Sequence, residues 1–213
     1  MLRRFEALGR ARPEHVDGIL VTHEHSDHSN GLAQLSRDWK CPAYLTEPTH
    51  REILKMYEPG PKAKIERTVY IRPGIKFTIG DIEITAFTIP HDAADPVGYC
   101  FSANGKKVAI VTDLGYMPEL VKHHLRECDL LILESNHDLE MLKVGPYPWY
   151  IKQRVMSRTG HLSNTVVSEF LSDDFGRCFR VEEAVPDHLS NNLSRSPIMG
   201  LRTAPLTLKR LRA

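Results

Sequence analysis

Apolar residues come in short blocks along this chain, and the spacing inside the blocks changes from one stretch to the next. Val16–Thr22 (VDGILVT) is a short apolar run suited to a buried strand, and Leu32, Leu35 and Trp39 follow at helical spacing. Ala43–Thr46 (AYLT) reads as a second strand, with Pro48 near the start of another helix. From Thr68 to Val111 the pattern is β-rich: Ile82–Phe87 (IEITAF) alternates, and Gly80-Asp81 and Asn104-Gly105 are hairpin turns. Helical spacing returns at Met117–Arg126, then a buried strand at Asp129–Glu134 (DLLILE), then helices near Trp149–Ser157 and Asn164–Leu171. Helix–strand units on both sides of a β-meander predict an α/β fold of two packed sheets with outer helices. After Gly176 the pattern weakens, because Glu182, Glu183 and Pro186 interrupt the one strand-like run. A Ser/Asn/Pro-rich piece with Arg195, Arg202, Lys209, Arg210 and Arg212 closes the chain. One domain over residues 1–190 and a basic, poorly ordered tail over 191–213 are therefore expected.

Composition removes whole classes. At 213 residues, 41% hydrophobic and 26% charged, the chain can bury a real core, and disordered or fibrous architectures are out. Twenty-eight Lys+Arg against 27 Asp+Glu leave a net charge of +1, which excludes a protein built around a strongly basic field. Four cysteines without a CxxC pair indicate neither a zinc ribbon nor a disulfide framework. The N-terminus has no apolar signal core and no run approaches a membrane span, so a cytoplasmic protein without membrane contact is expected. The eleven histidines are the count that stands out, and their placement carries the chemistry.

His23-Glu-His25-Ser-Asp27-His28 follows the first apolar strand. In extended backbone, residues two apart share a side, so His23 and His25 can grip one ion, while Asp27 and His28 turn into a helix and face a second. Imidazole nitrogens and carboxylate oxygens suit zinc, manganese or iron. The spacing is not that of HExxH proteases, since Asp27 stands four residues after His23. His91, Asp113 and the late His188 each lie at or just after a predicted strand, where loops gather sites in α/β folds.

This order of motifs resembles the metallo-β-lactamase superfamily. THEHSDH, PHDAADPVGY, TDLG, ESNHD and GHLSN look like its YycJ/WalJ group of exonuclease-like hydrolases, over residues 1 to 176. The resemblance implies an αββα sandwich, here lacking the N-terminal strands that relatives carry and irregular at the C-terminus. By similarity, His23, His25 and His91 would hold one divalent metal ion. Asp27, His28 and His188 would hold the other, and Asp113 would bridge them. His161 in GHLSN looks like the histidine that relatives such as RNase Z place beside the scissile phosphate; a plain helix entry capped by Ser163 is the other reading. Asp27 would orient or deprotonate the attacking water, and His161 would donate to the leaving oxygen or bind the phosphate.

His137 is a candidate partner of a metal ligand, a substrate contact, or a structural loop residue. Lys152, Arg154 and Arg158 are candidate phosphate contacts or a solvated helix face. A nucleic-acid partner and a 5′→3′ exonuclease acting on DNA are expected from the resemblance. Two rivals share the motif: a glyoxalase II-like thioester or lactone hydrolase, and an inactive, truncated remnant that only binds metal.

Overall fold

The computed structural model describes residues 16–61, 64–175, 180–182 and 207–209. His188 and the tail arginines lie outside the described residues. The described chain forms two compact units. The first runs to Thr88 and takes in Ala93–Val97, and the second comprises Ile89–Asp92 and the chain from Gly98 onward.

The first unit contains β1 (Ile19–Leu20), α1 (Ser26–Ser29), α2 (Leu32–Trp39), β2 (Ala43–Leu45), α3 (Glu47–Tyr57), β3 (Thr68–Tyr70), β4 (Lys76–Ile79) and β5 (Ile82–Thr88). Strands β1, β2 and β3 are parallel with β2 in the middle, Ala43 lying opposite both Ile19 and Thr68. A middle strand covered on both faces must be apolar, and Ala43 and Leu45 are fully buried. They pack with Val21, Leu32 and Ile53, flanked by Ile19, Tyr57 and Ile65. Helix α3 starts where Thr46 accepts a hydrogen bond from the Thr49 N–H, with Pro48 in the first turn where its missing N–H costs nothing. The predicted first strand is shorter than its apolar run. Only Ile19 and Leu20 enter the ladder, although the Val21 N–H still reaches the Tyr44 carbonyl at 3.0 Å.

The second unit holds β6 (Val97–Ala103) from Gly98 onward, β7 (Lys106–Val111), α4 (Glu119–Leu125), β8 (Leu130–Leu133), α5 (Leu139–Val144), α6 (Trp149–Val155) and α7 (Asn164–Phe170). Beyond them, β9 (Arg180–Glu182) pairs antiparallel with β10 (Thr207–Lys209). Strands β6 and β7 form a hairpin whose turn residues Asn104 and Gly105 take φ of 51° and 71°, the left-handed pair that a tight hairpin needs. Helix α4 carries the chain over to β8, which joins β7 in parallel with Leu133 opposite Val111. The residues after these two strands, Thr112-Asp113 and Glu134, therefore leave the sheet at the same end. Helix α5 was not expected from sequence. It is six residues long, too short for an apolar period, and is started by Asp138, whose side chain accepts from the Met141 N–H at 2.9 Å. Among the described residues no helix is long and apolar enough to cross a membrane.

Candidate metal centre

In the first unit the backbone stays extended from β1 through His25, which sets His23 and His25 on one side with ring centroids 4.6 Å apart. Helix α1 then brings His28 back, 4.1 Å from the His23 ring. The Thr22 hydroxyl lies 3.0 Å from His23 Nδ1 and 3.3 Å from His28 Nδ1, so one oxygen orients both imidazoles. Asp27 is half-exposed, with its carboxylate 3.6 Å from His28 Nε2. Glu24 points away from this group: it is buried, and its Oε1 accepts from the Ala94 N–H at 2.8 Å.

In the second unit His91 is buried, and its Nδ1 lies 3.1 Å from the Gly160 carbonyl. A carbonyl can only accept, so Nδ1 carries the hydrogen and Nε2 the lone pair. Burial lowers the His91 pKa below the ordinary value despite the nearby Asp113, Gly160 and Asp92 oxygens, which keeps the ring neutral as ligation requires. Asp113 is buried and takes φ of 54°, a left-handed conformation that a short carboxylate side chain tolerates better than most. His91, Asp113 and His161 each offer one ligand atom, all within 4.8 Å of one another. The neutral His91 imidazole nitrogen and the Asp113 carboxylate oxygen, both on buried residues, fit a divalent cation of the zinc or manganese type.

His161 is held from behind by Glu134. Its Nδ1 donates to Glu134 Oε2 at 3.0 Å and lies 3.4 Å from Asp113 Oδ1. Burial alone would lower the His161 pKa. The Glu134 hydrogen bond and charge, with Asp113 and Asp92 behind them, outweigh burial and raise it. Glu134 is itself buried, and its Oε1 accepts from the Leu114 N–H and, at 3.0 Å, from the Leu162 N–H. One carboxylate thus ties the turn after β7 to the His161 loop. Sequence reasoning missed Glu134; the signal was a glutamate ending an otherwise apolar strand, where a charge needs a partner.

Gly160 lets the His161 loop close on α6. A Cβ there would run into the Val155 and Arg154 carbonyl oxygens. The loop is pinned further where the Asp92 N–H donates to the Thr159 carbonyl at 3.0 Å. His137 sits on the same arm: its carbonyl accepts from the Asn164 N–H at 2.8 Å, and both its ring nitrogens are enclosed without a hydrogen-bond partner. Burial and the neighbouring His161 lower its pKa, so the ring is neutral. Ser163 caps α7 by accepting from the Val166 N–H, so the cap coexists with the His161–Glu134 pair rather than replacing it.

The three basic residues of α6 and its exit separate. Lys152 is buried, and its Nζ donates to the Lys143 carbonyl at 2.6 Å, which turns it away from any substrate. Arg154 is exposed and donates from Nε to Asp92, the neighbour of His91. Arg158 is exposed and stacks its guanidinium over Tyr116 at 4.1 Å.

The sequence profile of the Beta-lactamase superfamily domain matches residues 2–173. The chain belongs to that superfamily. It is 40% identical over 158 residues to the exodeoxyribonuclease YycJ of Bacillus anthracis, covering 74% of this chain and 59% of that protein. It is 35% identical over 184 residues to the exodeoxyribonuclease WalJ of Streptococcus pneumoniae, covering 85% of this chain and 67% of that one. Among solved structures, the metallo-β-lactamase fold protein YhfI of Bacillus subtilis superimposes with a TM-score of 0.58 at 16% identity, over 80% of this chain and 65% of that chain. Zinc-bound PqqB of Methylobacterium extorquens gives 0.55 at 19% identity, over 68% of this chain and 54% of that chain. The α/β fold is thus the metallo-β-lactamase fold.

Proposed function

We propose that this chain is a metal-dependent hydrolase of the cytoplasm that cuts phosphodiester bonds of DNA in the 5′→3′ direction at a centre of two divalent cations, zinc or manganese, with iron as the third candidate. The observation that carries the reading is the Glu134–His161 pair beside Asp113, a buried carboxylate that keeps a proton on an imidazole. The names of the two exodeoxyribonucleases support DNA as substrate. In this reading His23, His25 and His91 would hold one cation, Asp27, His28 and His188 would hold the other, and Asp113 would be shared; His188 rests on motif order alone.

The cations would supply hydroxide at neutral pH and neutralise a phosphate oxygen. The chain's own residues do the rest. Thr22 and the Gly160 carbonyl fix ring orientation, so ligand lone pairs need no reorganisation. Asp27, half-exposed on α1, orients the attacking water and accepts its proton. His161 donates its Nε2 proton to the leaving oxygen while Glu134 holds Nδ1. Arg154 and Arg158 meet phosphates of the strand, whereas the enclosed ring of His137 stays a structural part of the loop.

The test is release of nucleotides from 5′-phosphorylated DNA by the manganese- or zinc-loaded chain, with His161→Ala as the comparison. A folded chain holding two metal ions that leaves DNA intact but hydrolyses a glutathione thioester overturns the proposal in favour of a glyoxalase II-like activity. A folded chain that binds metal and cleaves neither substrate leaves only metal binding.

A further inference from the structure

Two buried thiols of the second unit meet at the end of α4. Cys100 lies in the middle of β6 and Cys128 just before β8, the end of that strand opposite to Glu134. Cys100 is 6% exposed and Cys128 fully buried. Both sulfurs face one oxygen: Cys100 Sγ donates to the His124 carbonyl at 3.3 Å, and Cys128 Sγ lies 3.9 Å from it. The two thiols also hydrogen-bond each other. His124 stands in the last turn of α4, where carbonyls lack an intrahelical partner. One hydroxyl would satisfy that oxygen better than two thiols, which are weak donors, so capping alone does not account for the pair. Ala109, opposite Cys100 on β7, shares its face of the sheet and adds only a methyl group there. The hydrogen bond from Cys128 pulls the Cys100 pKa below the ordinary thiol value despite burial, with help from the Lys107 ammonium. The same bond and burial push the Cys128 pKa up. Cys100 therefore ionises first, and Cys128 keeps its proton.

We infer that Cys100 and Cys128 form a redox site that a small peroxide oxidises to a disulfide, reversibly joining β6 to the turn between α4 and β8. The Cys100 thiolate attacks one peroxide oxygen and the O–O bond breaks. This gives a sulfenic acid and a hydroxide, which takes up a proton to become water. The Cys128 sulfur then attacks the Cys100 sulfur; the S–O bond breaks, and the hydroxide leaves with the Cys128 proton as a second water. Two thiols lose two hydrogens, and one peroxide is reduced to two waters. The oxidant must be small, because burial bars a bulky disulfide from either sulfur. A transient bridge of this kind is the form that disulfides take in a reducing compartment. The inference is independent of the phosphodiesterase reading, since neither sulfur belongs to the candidate metal centre.

The test treats the full chain, loaded with redox-inert zinc, with hydrogen peroxide. Remaining thiols are blocked with iodoacetamide after unfolding, and peptides are mapped by mass spectrometry. The expected product is a Cys100 peptide joined to a Cys128 peptide, lighter by two hydrogens than the two thiol peptides and separated again by dithiothreitol. Cys41, buried and with its pKa raised chiefly by desolvation, should stay alkylatable at the same dose. A bulky aromatic disulfide, dithiobis(nitrobenzoate), should leave Cys100 and Cys128 unreacted in the folded chain, and its reaction there would overturn the selectivity for small oxidants. Two variants give the order of attack. Cys128→Ala should leave a Cys100 sulfenic acid that dimedone captures, whereas Cys100→Ala should leave Cys128 unmodified; a dimedone adduct at Cys128 would overturn that order. Both thiols still free at a dose that oxidises the exposed Met56 overturns the site itself. So does a sulfinic acid at Cys100 with Cys128 free, or a bridge from either sulfur to Cys41 or Cys178. If an alanine variant fails to fold, the wild-type peptide map still decides, because it needs no substitution.

Discussion

Strands β7 and β8 run side by side and end alike, each with an acidic residue just beyond an apolar run, yet the two acids are used in opposite ways. After β7, Asp113 takes a left-handed backbone conformation that sets its short carboxylate beside His91 and His161. After β8, Glu134 turns its longer carboxylate inward and spends it on two backbone N–H groups and one imidazole. The first arrangement leaves a charge where a cation can sit; the second neutralises a charge by distributing it over three donors. Buried acids at adjacent strand ends thus divide between ligand and scaffold, and side-chain reach together with local backbone geometry decides which is which.

Substitution at Asp113 strains this comparison most. Asp113→Asn keeps the shape and removes the charge. Activity of the metal-loaded chain is expected to fall by more than the ~10–100-fold that loss of a ligand's partner costs. Metal content of the variant, measured by mass spectrometry after dialysis, should fall with it, and a variant that retains both ions would contradict the ligand role. At Glu134 the expected balance differs. Glu134→Gln still offers an acceptor to Leu114 and Leu162 but cannot stabilise a charged imidazole, so activity should drop by ~10–100-fold with little change in unfolding temperature. Glu134→Ala leaves two buried N–H groups without an acceptor, at a cost of ~1–3 kcal/mol each, read as a lower urea midpoint. Equal stability of the Gln and Ala variants would remove Glu134 from its scaffold role. Gly160→Ala pushes a Cβ against the Val155 and Arg154 carbonyls and should cost ~1–3 kcal/mol, with a fall in activity as His161 shifts.

Much of this fold is legible in the sequence because the cues are local. Asn104-Gly105 fixes the β6–β7 hairpin, Pro48 marks the start of α3, and DLLILE is a short apolar run that forms a strand with Leu131 and Leu133 buried. The HxHxDH string is readable for the same reason, since extended backbone puts His23 and His25 on one side without help from distant chain. What escaped was non-local. Glu134 gains its meaning only when the His161 loop returns 27 residues later to place an imidazole on its second oxygen. Lys152 sits in a sequence that reads as an exposed basic stretch, and only the packing of α6 next to the Lys143 carbonyl shows that it is turned inward. Helix α5 is too short to show a period, so its Asp138 cap was the one cue available.

The smallest expected effect separates the two strand ends by pH in the metal-free chain. His161 and His137 lie on the arm that follows β8, and their pKa values move in opposite directions. Burial disfavours the charged form of both. At His161 the Glu134 carboxylate overrides it, with help from Asp113 and Asp92, so the pKa is raised. At His137 burial is reinforced by the neighbouring His161 and only partly offset by Asp138, so the pKa is lowered. A raised folded-state value means that the His161 contribution is complete below the unfolded value of about 6.5 and is lost as pH rises through the raised pKa. A lowered value means that the His137 contribution is complete above about 6.5 and is lost as pH falls through the lowered pKa. The urea midpoint in chelator should therefore decline on both sides of a neutral maximum. Glu134→Gln should abolish the alkaline decline and leave the acid one, while His137→Asn should only shrink the acid one, because buried His91 also carries a lowered pKa. An alkaline decline that survives Glu134→Gln would mean that another group carries it, and that the acid after β8 does not hold the proton on His161.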